Sequence, residues 1–299
     1  MAVALPESSI YDDWCMRFDP VRMAAAAGFP ALDPWQRQLL VSRASKIMML
    51  CSRQVGKSTA AGLLATWIAR YTSNAQILIC SPTARQSEEL LRTVRAIWQR
   101  LPESGVTASS DTLTRLEASN GSRILALPGS KGDSIRGLSG IDVLILDEAA
   151  RCSIDLVAAI RPMLAISNGR LVILTTPAGR VGWFPDEWEH GIGYQRFSVR
   201  ADECPRISKE FLDSERRALG PTWYSQEYEN AFVNAENAVF PEAYLQRIIS
   251  EEEHAWTTIP PPQWAQPNPT PILQVESWTN GLQIPERDPR MTAFGVPWP

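Results

Sequence analysis

Apolar residues recur along the chain in short runs separated by longer amphipathic stretches. "KIMMLC" (Lys46–Cys51) is almost wholly apolar and has the length of a buried strand. A polar stretch follows, and from about Ser58 to Tyr71 the apolar positions take up helical spacing. The alternation then repeats. "AQILIC" (Ala75–Cys80) predicts a second buried strand, and Ala84–Arg100 the helix after it. "RILALP" (Arg123–Pro128) predicts a third strand. "IDVLILDEAA" (Ile141–Ala150) predicts a fourth, leading into a helix that runs to about Leu164. "GRLVILTTPAG" (Gly169–Gly179) and "YQRFSVR" (Tyr194–Arg200) predict a fifth and a sixth. Before the first strand, "WQRQLL" has helical spacing. Apolar strands alternating with helices predict an α/β fold, with a mainly parallel sheet covered by helices on both faces.

The pattern stops after about Ser250. Ten prolines fall between positions 255 and 299. Each removes a backbone donor and restricts the residue before it. This stretch predicts an extended or disordered tail over 251–299, not a second folded domain. The domain expected over 1–250 then has a helical N-terminal part (1–45) and a helical lid or linker (200–250).

Composition narrows the class. With 299 residues, 44% of them hydrophobic, the chain can build one large α/β core. A net charge of −4 argues against a uniformly basic coat but leaves room for a local basic face. Arg85, Arg92, Arg95, Arg100, Arg115 and Arg123 are the candidates for such a face. Five scattered cysteines without metal-ligand spacing point to a reducing compartment, and two histidines make a histidine metal site improbable. No apolar run reaches membrane-spanning length, and the N-terminus lacks a signal pattern.

Three stretches carry chemistry. "CSRQVGKST" (Cys51–Thr59) follows a strand and opens a helix, the context of a phosphate-binding loop of the form G-x-x-x-x-G-K-[ST]. Gly56, Lys57 and Ser58 match the end of that pattern, while Cys51 replaces its first glycine. Gly56 lets the backbone approach phosphates, Lys57 reaches the β/γ oxygens, and Ser58 can place its hydroxyl on Mg²⁺. In "VLILDEAA" two acids follow an apolar strand, at the ligand edge of a parallel sheet. Asp147 suits the Mg²⁺ shell, and Glu148 suits orientation and deprotonation of an attacking water. Thr175 and Thr176 end another strand and can sense the γ-phosphate. Together these stretches predict nucleotide hydrolysis.

"PWQRQLL", "SRQVGKST", "SPTARQSEELL", "SIRG", "VLILDEAA" and "TTPAGRVGWF" resemble, in that order, the large terminase subunit of tailed bacteriophages. That protein is the ATP-driven motor that packages DNA into a prohead. The later "FLDSERRALGPTWYSQEYENAF" fits as well, so the resemblance covers about Pro34–Pro241. It implies a P-loop NTPase fold of the additional-strand catalytic-glutamate type, with a small helical lid and with ATP and Mg²⁺ as cofactors. The implied ATP-binding residues are Gln36, Ser52, Gln54, Val55, Gly56, Lys57, Ser58 and Thr59, with Ser58 and Asp147 at the metal. The resemblance makes Gln36 the adenine contact and Arg53 a γ-phosphate contact in cis beside the catalytic Glu148. Arg136 corresponds to an arginine that some members insert into a neighbour's site, and Thr175, Thr176 and Pro177 fall on the coupling motif.

Divergence at the first loop glycine is common in that family, so Cys51 counts little against function. The implied partners are double-stranded DNA, a portal protein, a small terminase subunit and further copies in a ring, in the cytoplasm of an infected or lysogenic bacterium. Large terminases also carry an RNase H-like nuclease domain after the region matching "AVFPEAY". Here only the proline-rich tail follows, so no nuclease activity is expected from this chain. Two alternatives stay open: another nucleic-acid-stimulated P-loop ATPase, or a non-catalytic remnant that binds a portal or partner subunits.

Overall fold

A computed structural model describes residues 7–103, 105–128 and 138–233. Its centre is an eight-stranded sheet in the order β3-β4-β5-β2-β6-β7-β1-β8. The strands are β1 (Lys46–Cys51), β2 (Gln76–Ser81), β3 (Ala108–Thr112), β4 (Arg115–Ala118), β5 (Arg123–Pro128), β6 (Val143–Asp147), β7 (Arg170–Thr175) and β8 (Gln195–Val199). From β5 to β8 every neighbouring pair is parallel; β3-β4 and β4-β5 are antiparallel. The loop-bearing β1 and the acid-bearing β6 are separated by β7. This insertion is the additional strand that defines the fold type expected above.

The helices are α1 (Glu7–Phe18), α2 (Pro20–Ala26), α3 (Pro34–Val41), α4 (Lys57–Tyr71), α5 (Ala84–Arg100), α6 (Ile154–Ile160), α7 (Trp183–His190) and α8 (Lys209–Tyr228). Strand residues alternate between two cores, as a period of two requires. Ile47, Met49, Ile77, Ile79, Ile145 and Leu174 pack under α4 and α5 with Leu63, Leu64, Leu91 and Val94. Met48, Leu78, Leu144, Leu146 and Ile173 pack on the other face with Ile160 of α6 and Phe184 of α7. Both faces are covered, so the central strands are apolar throughout.

Most elements fall where the hydrophobic pattern puts them. The differences are local. The fourth and fifth strands are shorter than the apolar runs, because Glu148 and Pro177 lie past the last ladder pair. The single helix expected to Leu164 is instead a 3₁₀ turn at Ala149–Arg151, then α6, then a second 3₁₀ turn at Arg161–Leu164. The antiparallel β3 and β4 were not predicted: β3, "ASSDT", is polar and mostly exposed, so it carries no hydrophobic period. The helix α8 bends at Gly220, which takes φ 74° ahead of Pro221. The proline-rich tail lies outside the described residues.

Candidate functional site: a phosphate loop facing two acids

The parallel strands end together at one edge, and the loop from Ser52 to Gly56 leaves that edge to start α4. Gln54 (φ 61°) and Gly56 (φ 95°) both take left-handed backbone, which curls the loop's N–H groups inward. At Gly56 a side chain would also meet the Gln36 amide at 2.8 Å. No side chain caps α4 at Gly56, so its first N–H groups are left for an anion.

Cys51 is the last residue of β1 and its side chain lies in the core under α4. The position is ordinary extended strand, so it has no need of glycine. Burial pushes the Cys51 thiol up to about 12, with Lys57 pulling weakly the other way. Its carbonyl accepts from Lys57 Nζ at 3.5 Å.

A cavity of about 470 Å³ opens in front of the loop, lined by Arg53, Gln54, Gly56, Lys57, Ser58, Thr59, Gln86, Glu148, Arg151 and Thr176. Glu148 follows β6 with φ 51° and ψ 42°, a left-handed conformation that costs a non-glycine residue roughly 1–2 kcal/mol. Its carboxylate is 3.6 Å from Lys57 Nζ and accepts from Arg151 at 2.9 Å and from Thr176 Oγ1 at 3.3 Å. Thr175 is buried and accepts from Ala150 N–H at 3.1 Å; Pro177 is buried beside it.

Asp147 is buried at the end of β6. Burial, and then the Glu148 charge beside it, raise its carboxyl to about 6, partly opposed by Lys57 and by a bond from the Glu148 backbone. Its Oδ1 has no hydrogen-bond partner. A buried carboxylate oxygen left open, with the Ser58 hydroxyl at the head of α4, fits a hard divalent cation with oxygen ligands.

Other expected residues stand behind the loop. Gln36 is buried in α3, its Oε1 accepting from Asp33 N–H at 3.0 Å and its Nε2 donating to Gly56 O at 3.5 Å. Val55 is buried in the core. Ser52 Oγ donates to Tyr228 O at 2.7 Å, and its N–H donates to Val199 O. Arg53 lines the cavity while paired with Glu227 at the end of α8. Arg136 lies outside the described residues.

Four residues that sequence reasoning missed hold this arrangement. Arg206 grips Asp33 through two bonds of 2.8 Å and donates to Val55 O at 2.9 Å. Asn230 donates to Leu50 O at 3.1 Å and Val199 O at 2.9 Å, and lies 3.0 Å from Ser52 Oγ. Arg151 and Gln86 line the cavity. Arg151 alone had a local signal, being three residues after Glu148 and so within reach of it. The candidate basic face is partly neutralised: Arg92 pairs with Glu89, Arg95 with Asp111 and Arg115 with Glu117.

This fold and edge have the arrangement of the P-loop NTPase fold with an additional strand. Comparison with known proteins gives the nearer likeness. The large terminase subunit of Thermus phage G20c is 26% identical over 245 residues, covering 69% of this chain and 50% of that protein. That of Escherichia phage T5 is 25% identical over 199 residues, covering 63% of this chain and 44% of that protein. The chain thus spans about half the length of the curated relatives it matches. The Thermus phage P74-26 large terminase ATPase domain superposes with a TM-score of 0.60 at 23% identity, over 70% of this chain and 97% of that one. The large terminase of a thermophilic bacteriophage, in complex with ATP-gamma-S, superposes with a TM-score of 0.56 at 15% identity, over 68% and 53%. At such identities the structural likeness is one of fold. Residues 48–182 also match the family model of the helicase domain of the RNA cytidine acetyltransferase NAT10/TcmA. The curated homologues are large terminase subunits, and the structural neighbours are phage large terminase ATPase domains, over most of the chain.

Proposed function

We propose that this chain is an ATPase that drives double-stranded DNA into a prohead, the motor part of a large terminase. The observation that carries the reading is one sheet edge where Lys57, Asp147 and Glu148 meet an uncapped helix N-terminus. The loop N–H groups and Lys57 hold the β- and γ-phosphates. Ser58 and Asp147 hold Mg²⁺, which when bound neutralises charge on the phosphate oxygens. Glu148 orients the attacking water and takes its proton, and Arg53 stabilises charge on the transferring group. Thr176, bonded to Glu148, relays the state of that carboxylate toward Pro177 and the loop beyond β7. Gln36 has one amide N–H left for the adenine. The motor domain occupies 1–250 and acts in a ring on a portal, with a small terminase subunit, in the bacterial cytoplasm. Arg136 supplies a finger to a neighbouring copy.

The helicase-domain match favours a second reading, an ATPase stimulated by another nucleic acid. Turnover with duplex DNA, single-stranded DNA and RNA separates the two. For the site itself, Lys57→Ala should lose nucleotide binding. Glu148→Gln should keep binding while turnover falls roughly 10²–10⁴-fold, the usual worth of a general base. Normal hydrolysis by Glu148→Gln would remove Glu148 from the role of base.

A further inference from the structure

A second unpaired oxygen lies beside Asp147. Ser81 ends β2, the strand next to β6, and its side chain is fully buried. Its hydroxyl has no hydrogen-bond partner. The last residues paired between β2 and β6 are Cys80 and Leu146, so Ser81 and Asp147 each come one residue later. Cys80 and Leu146 point into the core on the α6 and α7 face, and Ile79 and Ile145 into the core under α4. The two-residue period therefore turns Ser81 and Asp147 to the same side as α4, which carries Lys57 and Ser58.

A buried hydroxyl without a partner costs roughly 1–3 kcal/mol. Alanine or cysteine would fill this strand position without that cost. Among the described residues, Ser81 and Asp147 are the only strand-end side chains at this edge with a buried oxygen left open. Open oxygens on adjacent strands, on one face, offer a shared water two polar partners. Mg²⁺ keeps several of its waters when protein-bound, and those waters are strong donors. We propose that Ser81 is a positioning residue for the nucleotide's divalent cation, its hydroxyl accepting from a cation-bound water that also meets Asp147. The inference rests on the ATPase reading above and adds to it a contact from β2.

The test compares ADP binding by calorimetry at saturating Mg²⁺ and in EDTA, with Mg²⁺ titrations at fixed ADP. The proteins are wild type, Ser81→Ala and Ser81→Cys. Outer contacts to metal sites are typically worth 10–100-fold in metal affinity, so both variants should need roughly tenfold more Mg²⁺. Their ADP affinity in EDTA and their melting temperatures should match wild type. The Mn²⁺ resonance spectrum of the ADP complex should also change in both variants. Wild-type Mg²⁺ dependence in the folded variants would overturn the proposal and leave the ATPase reading intact. Equal loss with and without Mg²⁺ would overturn it too, by showing a structural role. A wild-type chain whose ADP binding ignores Mg²⁺ would overturn the proposal alone, and one that binds no adenine nucleotide would overturn the ATPase reading.

Discussion

At the residue scale the candidate site holds a buried acid at a cost in stability. Asp147 is an acid held where its charge is disfavoured, with its carboxyl raised from 3.8 to about 6. Between those values the folded chain holds a proton that the unfolded chain has released. Without metal, stability should therefore fall as pH rises from about 4 to 6 and stay reduced above that. A shift of this size corresponds to about 3 kcal/mol. Asp147→Asn should unfold at higher urea than wild type at pH 8 in EDTA, with the gap closing toward pH 4. Urea midpoints of both proteins across that range check the sign. Mg²⁺ with ADP should restore wild type and not the variant. Cys51 shows the opposite economy, since its thiol is held neutral by burial at a strand end where any small apolar residue can sit.

At the element scale the loop is positioned from behind by the end of α8. Asn230, with φ 60°, stitches β1, β8 and the loop through Leu50 O, Val199 O and Ser52 Oγ. Glu227 takes both the Arg53 side chain and, through its carbonyl, the Arg53 N–H. Gln226 accepts from Gly179 N–H in the loop beyond β7. One helix end thus touches both loops that frame the cavity. Asn230→Ala leaves buried polar groups unpaired and should cost about 2–3 kcal/mol in urea unfolding. Asn230→Asp should cost more, because its carboxylate would face two carbonyl oxygens.

At the scale of the whole molecule the proposed ring sets the rate. An arginine finger supplied by a neighbour is worth roughly 10³–10⁵ in rate. If Arg136 is that finger, the chain alone is a slow ATPase whose specific activity rises with its own concentration. Mixed Arg136→Ala and Glu148→Gln subunits should then recover activity that neither shows alone. Activity that ignores concentration, with no recovery in mixtures, would leave Arg53 as the only finger. The paired arginines on and beside α5 offer little free charge, so salt-dependent duplex binding should survive Arg92→Ala and Arg95→Ala nearly unchanged.

The order of most elements and the core of the candidate site were legible in the sequence. Buried parallel strands must be apolar throughout, and phosphate loops and strand-end acids have fixed local spacing, so "KIMMLC", "VGKST" and "VLILDEAA" announce themselves. Tertiary structure decided the rest. Nothing local pairs Arg206 with Asp33, Asn230 with β1 and β8, or Ser81 with the edge that holds Asp147. These residues are separated along the chain by tens to nearly two hundred positions, and only the sheet together with the helices and loops packed around it brings them together. The exposed β3 escaped for the converse reason: a strand that buries little leaves no hydrophobic period to read, and β4, with only Leu116 and Ala118 buried over four residues, is too short to show one.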